Sequence, residues 1–265
     1  MRAGRWALNV YAALGLVYLF APIAVIVLFS FNQPAGEYNI EWRRFTLDNW
    51  LAPFADRQLT AALWVSLQVA AVATLVSTVL GSMVAIALSR YRFRGDGLVN
   101  LMLVLPVTTP EIVLGSSLAA MFLGQNLIDF GLPTIIIAHI LFQLSFVAIV
   151  VRARLRGFDW TLEQAAQDLG ATPWRTFRTV TLPLMLPGIL AAALLSFALS
   201  VDDFIITFFN AGSTVTFPLQ IFGASRVRIP PQVHVLATVI LIVSIALLVA
   251  GSVLEHRRRH GRVSG

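Results

Sequence analysis

Cysteine is absent from this sequence, and so is lysine. The first absence excludes disulfides and thiolate metal sites. The second makes all 19 basic side chains arginine, so there is no Gly-Lys-[Ser/Thr] phosphate cradle and the chain cannot hold ATP in the usual way. Histidine is scarce as well. His139, His234, His256 and His260 are too dispersed to form a metal-ligand set. Charge is the most telling shortage: 12% of residues are charged and 58% are hydrophobic, against about 25% charged in an ordinary soluble domain. Such a composition belongs in a bilayer, as an all-α integral membrane protein. The net charge of +6 would suit nucleic acid, but the arginines flank apolar runs, where membrane topology places them, so lipid and not nucleic acid is the expected partner.

Six stretches are long enough for a hydrocarbon core of about 30 Å. They are Trp6 to Phe31, Leu59 to Ser89, Leu98 to Leu123, Gly131 to Val151, Thr179 to Val201 and Ile229 to Leu254. The first is too long for a signal-peptide core and is expected to be retained. The third is interrupted by Pro106, Pro110 and Glu111. An even number of spans puts both termini on one side. Fourteen arginines then fall on the side of the termini, and five (Arg43, Arg44, Arg57, Arg226 and Arg228) on the other. The positive-inside rule makes the termini cytoplasmic. The expected organisation is a span with an external loop over 1–58, a core of spans over 59–254 and a basic cytoplasmic tail over 255–265.

The longest polar stretch enclosed between apolar ones, Phe158 to Gly188, must face water. Phe158, Leu162, Ala165, Ala166 and Leu169 recur on one stripe of a short helix. Thr161 with Gln164 fits a capping box. Gly170 supplies a left-handed stop, and Thr172 with Pro173 reads as the cap and first residue of a second short helix carrying Trp174, Phe177 and Val180. From pattern alone the elbow is either an amphipathic connector on the membrane surface or a protrusion that another protein grips.

Charges inside spans cost at least about 2.5 to 3.5 kcal/mol on insertion scales, so Glu111, Asp202 and Asp203 call for an explanation. Adjacent helical residues point about 100° apart. Asp202 and Asp203 therefore cannot face one cavity as equals: one lines a path while the other caps backbone or finds an arginine, unless both solvate at the helix end. Glu111 either lines the path or caps the helix after the break. His139 and His234 read as packed or interfacial, and Arg226 and Arg228 as loop charges, leak barriers or docking groups.

Residues 164–183, QAAQDLGATPWRTFRTVTLP, resemble the EAA loop of ABC-importer permeases: Glu-Ala-Ala, three residues, Gly, nine residues, Ile, one residue, Leu-Pro. Ala165, Ala166, Gly170, Leu182 and Pro183 match, and Val180 stands for Ile. Gln164 departs from the pattern where Glu is expected, with Glu163 beside it and Asp168 one turn on. Phe45 to Trp50 resembles the segment that leads into the permease core in this family, and Pro110-Glu-Ile-Val and the run Ser200 to Phe209, followed by Phe217 to Ile221, are similar to the second membrane subunit of spermidine/putrescine permeases. The resemblance implies a type I ABC importer permease fold with a cytoplasmic coupling loop over 158–183, in a bacterial cytoplasmic membrane. It implies a heterodimer with a related permease, separate ABC ATPase subunits that carry ATP and Mg, and an extracytoplasmic polyamine-binding protein. This chain would then bind no cofactor or metal and hold no catalytic residue. The resemblance further implies a substrate path at Glu111, Asp202, Asp203 and Trp50, the last otherwise an interfacial anchor. ATPase coupling would fall to Leu162, Glu163, Gln164, Ala165, Ala166, Asp168, Leu169 and Gly170. Another small solute, such as an amino-acid derivative, a metal chelate or a phosphonate, is the alternative cargo. A remoter alternative is an intramembrane protease built on Gly115-Ser-Ser117 and His139, although Leu118 stands where such a site wants glycine.

Overall fold

The computed structural model describes residues 2–36, 38–125 and 128–260. Part of the expected basic tail, 261–265 with Arg262, lies outside the described residues. In chain order the helices are α1 (Arg2–Phe29), α2 (Asp48–Leu51), α3 (Arg57–Arg90), α4 (Asp96–Thr108), α5 (Glu111–Gln125), α6 (Leu132–Leu155), α7 (Thr161–Asp168), α8 (Pro173–Thr176), α9 (Leu182–Asp202), α10 (Ile205–Asn210), α11 (Phe217–Ser225) and α12 (Pro231–His260). Among the described residues the only β pairing is two isolated bridges, Asn32 with Phe45 and Tyr38 with Ile229.

Among the described residues, four helical runs are long and apolar enough to cross a membrane: Leu8–Phe29, Arg57–Arg90, Leu132–Leu155 and Pro173–Asp202. The stretch interrupted by Pro110 becomes α4 and α5, bent by 111°. Counted as one span, that pair makes a fifth. Thr109, held extended at φ −76° and ψ 135°, shows the cause: a residue before proline is driven out of the helical region. The last apolar run, in α12, covers Pro231–Ala246 within the searched residues and is shorter.

The chain forms two compact units, one of residues 1–61 and 221–265, the other of 62–220. In the first, the loop after α1 is held by asparagines. The Asn32 amide donates to Asn39 Oδ1 and to the Glu41 carbonyl, both at 2.7 Å, and its oxygen accepts from the Arg43 N–H at 2.8 Å. Asn49 reaches back to the Asn32 carbonyl at 2.8 Å. Buried amides of this kind satisfy a turn that has no ladder of its own.

In the second unit, Ala85, Val147, Val151, Leu155, Met185 and Ala192 form a buried cluster that joins α3, α6 and α9. Glycine makes the close approach possible: a Cβ on Gly81 would lie 2.7 Å from Val147 Cβ. Further along, α8 does not end as a separate short helix. It passes through a π turn, Phe177–Thr181, straight into α9, with the Leu182 N–H bonded to the Phe177 carbonyl five residues back. Pro183 supplies the reason. Its ring would crowd the Thr179 carbonyl in a regular helix, and a widened turn relieves the clash.

Candidate functional site

The acidic residues gather where α9 breaks. α9 stops at Asp202, Asp203 is extended at φ −63° and ψ 123°, and α10 begins at Ile205. The Asp203 carboxylate closes this break from inside. It accepts from the backbone N–H and the hydroxyl of Thr207, both at 2.8 Å, and lies 3.3 Å from His139 Nε2, with the two side chains 6% and 3% exposed. His139 in turn meets the Ser200 hydroxyl through Nδ1 at 2.7 Å and the Thr207 hydroxyl through Nε2 at 2.9 Å. Asp203 is therefore the acid that caps backbone, one of the two alternatives the sequence left for it, and it has a histidine beside it.

Asp202 is exposed, and so is Glu111 at the first position of α5. Glu111 opens α5, the helix that packs on α10 just past the break. The α5 and α10 backbones meet at Gly115, where a Cβ would lie 3.2 Å from Ile206 Cα, and the Asn210 amide donates to the Gly115 carbonyl at 3.2 Å. Phe204 and Phe208 stack at 5.7 Å beside the acids, and Phe208 is exposed. Exposed carboxylates and an exposed aromatic ring are the groups an organic cation would need.

Trp50 has partners of its own. It belongs to the first unit, where its indole N–H donates to the Ser30 hydroxyl at 3.2 Å and its ring stacks on Phe31 at 5.3 Å. Among the arginines, Arg228 pairs with Asp56 at 2.8 Å and Arg226 lies 4.5 Å over the Phe222 ring. The protease alternative finds no geometry here. Gly115 is a helix contact, Ser117 is exposed, and both ring nitrogens of His139 are occupied by residues of the α9 to α10 break. Ser200, His139 and Asp203 do follow one another as a hydrolytic triad would, but Ser200 is 4% exposed and no substrate reaches it. Among the described residues no cluster could hold a metal ion.

The sequence reading missed His139 as a partner of Asp203, and Phe204 and Phe208 as neighbours of the acids. The signal was present in the polar and aromatic residues of Ser200 to Phe209, but the contact to α6 is made across sequence. Replacing His139 with leucine should destabilise the protein by about 1.5–3 kcal/mol, because it removes one of the partners of a buried carboxylate and leaves it to Thr207 alone, and the double change with Asp203→Leu should cost less than the sum of the two single changes. Unfolding of the purified protein in detergent checks both.

The elbow has its own geometry. The capping box expected from Thr161 and Gln164 does not form. Asp159 caps instead, its carboxylate accepting the Thr161 hydroxyl at 2.7 Å and the Thr161 N–H at 3.0 Å, which holds that carboxyl below the usual range. A carboxylate is the stronger acceptor, and the Thr161 hydroxyl is spent on it. Gly170 is left-handed at φ +85°, and the Thr172 oxygen accepts from the Arg175 N–H at 3.4 Å. The apolar stripe of α7 is turned outward. Leu169 is 90% exposed and Leu162 47%, with Gln164, Ala165 and Asp168 also exposed, while Glu163 is 4% exposed. Trp174, stacked on Phe177 at 5.7 Å, adds a second exposed apolar surface. An apolar face with polar edges, standing free of its own chain, suits a protein partner.

The chain is similar to known proteins over most of its length. Residues 77–260 match the model of the family described as binding-protein-dependent transport system inner membrane component. The spermidine/putrescine transport system permease protein PotC of Haemophilus influenzae is 35% identical over 253 residues, covering 95% of this chain and 97% of that protein. The putrescine transport system permease protein PotI of Escherichia coli is 35% identical over 235 residues, covering 86% and 83%. Among solved structures, a bacterial ABC transporter involved in the import of alginate aligns with a TM-score of 0.67 at 15% identity over 95% of this chain and 96% of that one. The likeness to that structure concerns the fold alone.

Proposed function

Since the chain belongs to the family of binding-protein-dependent transport system inner membrane components, we propose that it is the membrane-spanning permease subunit of an ATP-driven importer that carries polyamines, spermidine and putrescine, into the cytoplasm by alternating access. The observation that carries this reading is the 35% identity to a spermidine/putrescine permease across 95% of the chain. The exposed Asp202 and Glu111 with Phe208 agree with it, because a chain of ammonium groups asks for carboxylates and aromatic faces in turn.

In this reading the chain pairs with a second, related permease, receives its cargo from an external binding protein, and is driven by two ATPase subunits that hold ATP and Mg. The lysine-free sequence accords with ATP bound elsewhere. Both termini and the loop 158–183 lie on the cytoplasmic side, where arginine is concentrated, and the core extends over 59–254. The exposed Leu162, Leu169 and Trp174 seat the loop on the ATPase. Asp202 and Glu111 offer the cation two carboxylates, while Asp203, occupied by His139 and Thr207, holds the break in α9 on which they depend.

Uptake of labelled spermidine and putrescine tests the proposal, in a host without polyamine importers that expresses this chain with its genomic neighbours. ATP-dependent accumulation that stops on ATP depletion is expected. A complex that assembles and hydrolyses ATP yet accumulates neither polyamine would keep the importer and discard the cargo.

A further inference from the structure

Of the acidic residues in the coupling loop, Asp159 and Asp168 are exposed and Glu163 is buried. One Glu163 carboxylate oxygen accepts the Thr181 hydroxyl, and the other lies 2.9 Å from the Arg90 guanidinium. Arg90 is the last residue of α3, Thr181 the last of the π turn that opens into α9. One side chain thus ties the loop to the ends of two spanning helices. Arg90 also sits 5.8 Å over the Trp160 ring, and Trp160 packs with Phe158 against the cluster that joins α3, α6 and α9. A buried carboxylate is kept only where its partners satisfy it, and these two partners do. The neighbouring Gln164, at the position where the family-like pattern has its acid, is exposed and neutral.

We propose that Glu163 is a positioning residue for import, which passes displacement of the coupling loop into α3 and α9 from inside the chain without touching the ATPase. The proposal rests on the importer reading above. α9 has 21 residues and so runs roughly 30 Å, at about 1.5 Å per residue, from the strut to the break at Asp202. A loop drawn along by its partner moves the Thr181 end of that helix through the carboxylate, and the acids at the other end move with it. The π turn Phe177–Thr181 interrupts the regular α ladder between the loop and α9, so the carboxylate gives the end of α9 a second, side-chain tie to the loop beside the backbone. With glutamine outside and the acid inside, the charged contact of this stretch is made within the lever and not with the partner.

The test uses the whole importer in proteoliposomes, with both permeases, the ATPase subunits and the binding protein. Spermidine taken up per ATP hydrolysed is measured alongside the amount of ATPase retained on purification. Glu163→Gln should lower uptake per ATP by about tenfold, a usual size for coupling between sites, with ATPase retention as in the parent. Thr181→Val removes one hydroxyl, leaves the ion pair and should lower the ratio less. Arg90→Gln with Glu163→Gln should be no worse than Glu163→Gln alone, because both act through one contact. Should Glu163→Gln fail to fold, Arg90→Gln and Thr181→Val carry the same measurement. Loss of ATPase in step with loss of uptake would overturn the proposal by placing Glu163 at the interface. An unchanged ratio, or additive losses in the double variant, would overturn it too. A parent complex without ATP-driven uptake of any solute would instead remove the importer reading, and the proposal with it.

Discussion

Asp202→Asn is expected to reduce kcat/KM for spermidine uptake by roughly ten- to a hundredfold while the complex still assembles. A hydrogen bond to a charged group contributes about 1.5–3 kcal/mol, and about 1.4 kcal/mol is a factor of ten. Asp202 is exposed, so screening in a water-filled path pulls the effect toward the lower figure. A change at the next residue should read out differently. Asp203→Ala removes the cap of α10 and strands His139 among buried groups, so the loss should appear as reduced abundance and thermal stability, with KM for the surviving protein close to that of the parent. Equal behaviour of the two variants in uptake and in unfolding would show that these neighbouring acids do not divide the work.

Gly170→Val should uncouple transport from ATP hydrolysis by about tenfold or more, leaving the spans in the membrane. Gly170 stands at φ +85°, and no atom lies within 4 Å of where a Cβ would be. Space is therefore not the obstacle, and the cost is backbone strain alone, about 1–2 kcal/mol for an L-residue and more for a β-branched one. The cheapest release is to unwind the elbow between α7 and α8, which turns Leu169 and Trp174 away from their partner. Gly170→Asn, which tolerates the left-handed region, should retain most activity. ATP hydrolysis and uptake, measured together on the three proteins, decide the matter. Normal uptake by Gly170→Val would mean that the elbow is not the lever.

Much of this arrangement was legible from residue order because it depends on local rules. Pro110 marks the bend between α4 and α5, since proline acts on its immediate neighbour. Gly170 and Thr172 mark the elbow, because a left-handed stop and a cap are properties of single residues. The long apolar runs that became α1, α3 and α6 could be read from length and polarity alone. Where local rules compete, the reading was less secure. Thr161 has the pattern of a capping box, yet its hydroxyl goes to Asp159, a stronger acceptor two residues away. The second elbow helix had the signature of a short element. Pro183 instead produced a π turn and a continuous helix to Asp202.

By itself, the sequence determined that this chain lives in a membrane, that it holds no Gly-Lys-[Ser/Thr] phosphate cradle, that a polar elbow lies between two apolar runs, and that three acids stand within or beside apolar stretches. Each follows from composition or from residues a few positions apart. Only the tertiary structure decided how the acids divide their roles. Asp202 is left open because Asp203 meets His139 from a helix some sixty positions away in sequence, at 3.3 Å. Glu163 turns inward, and Gln164 outward, because Arg90 and Thr181 wait on other elements to satisfy a buried carboxylate. The physical reason is common to both cases. Helical periodicity assigns neighbours to different directions, but which direction is buried depends on partners that folding alone brings within reach.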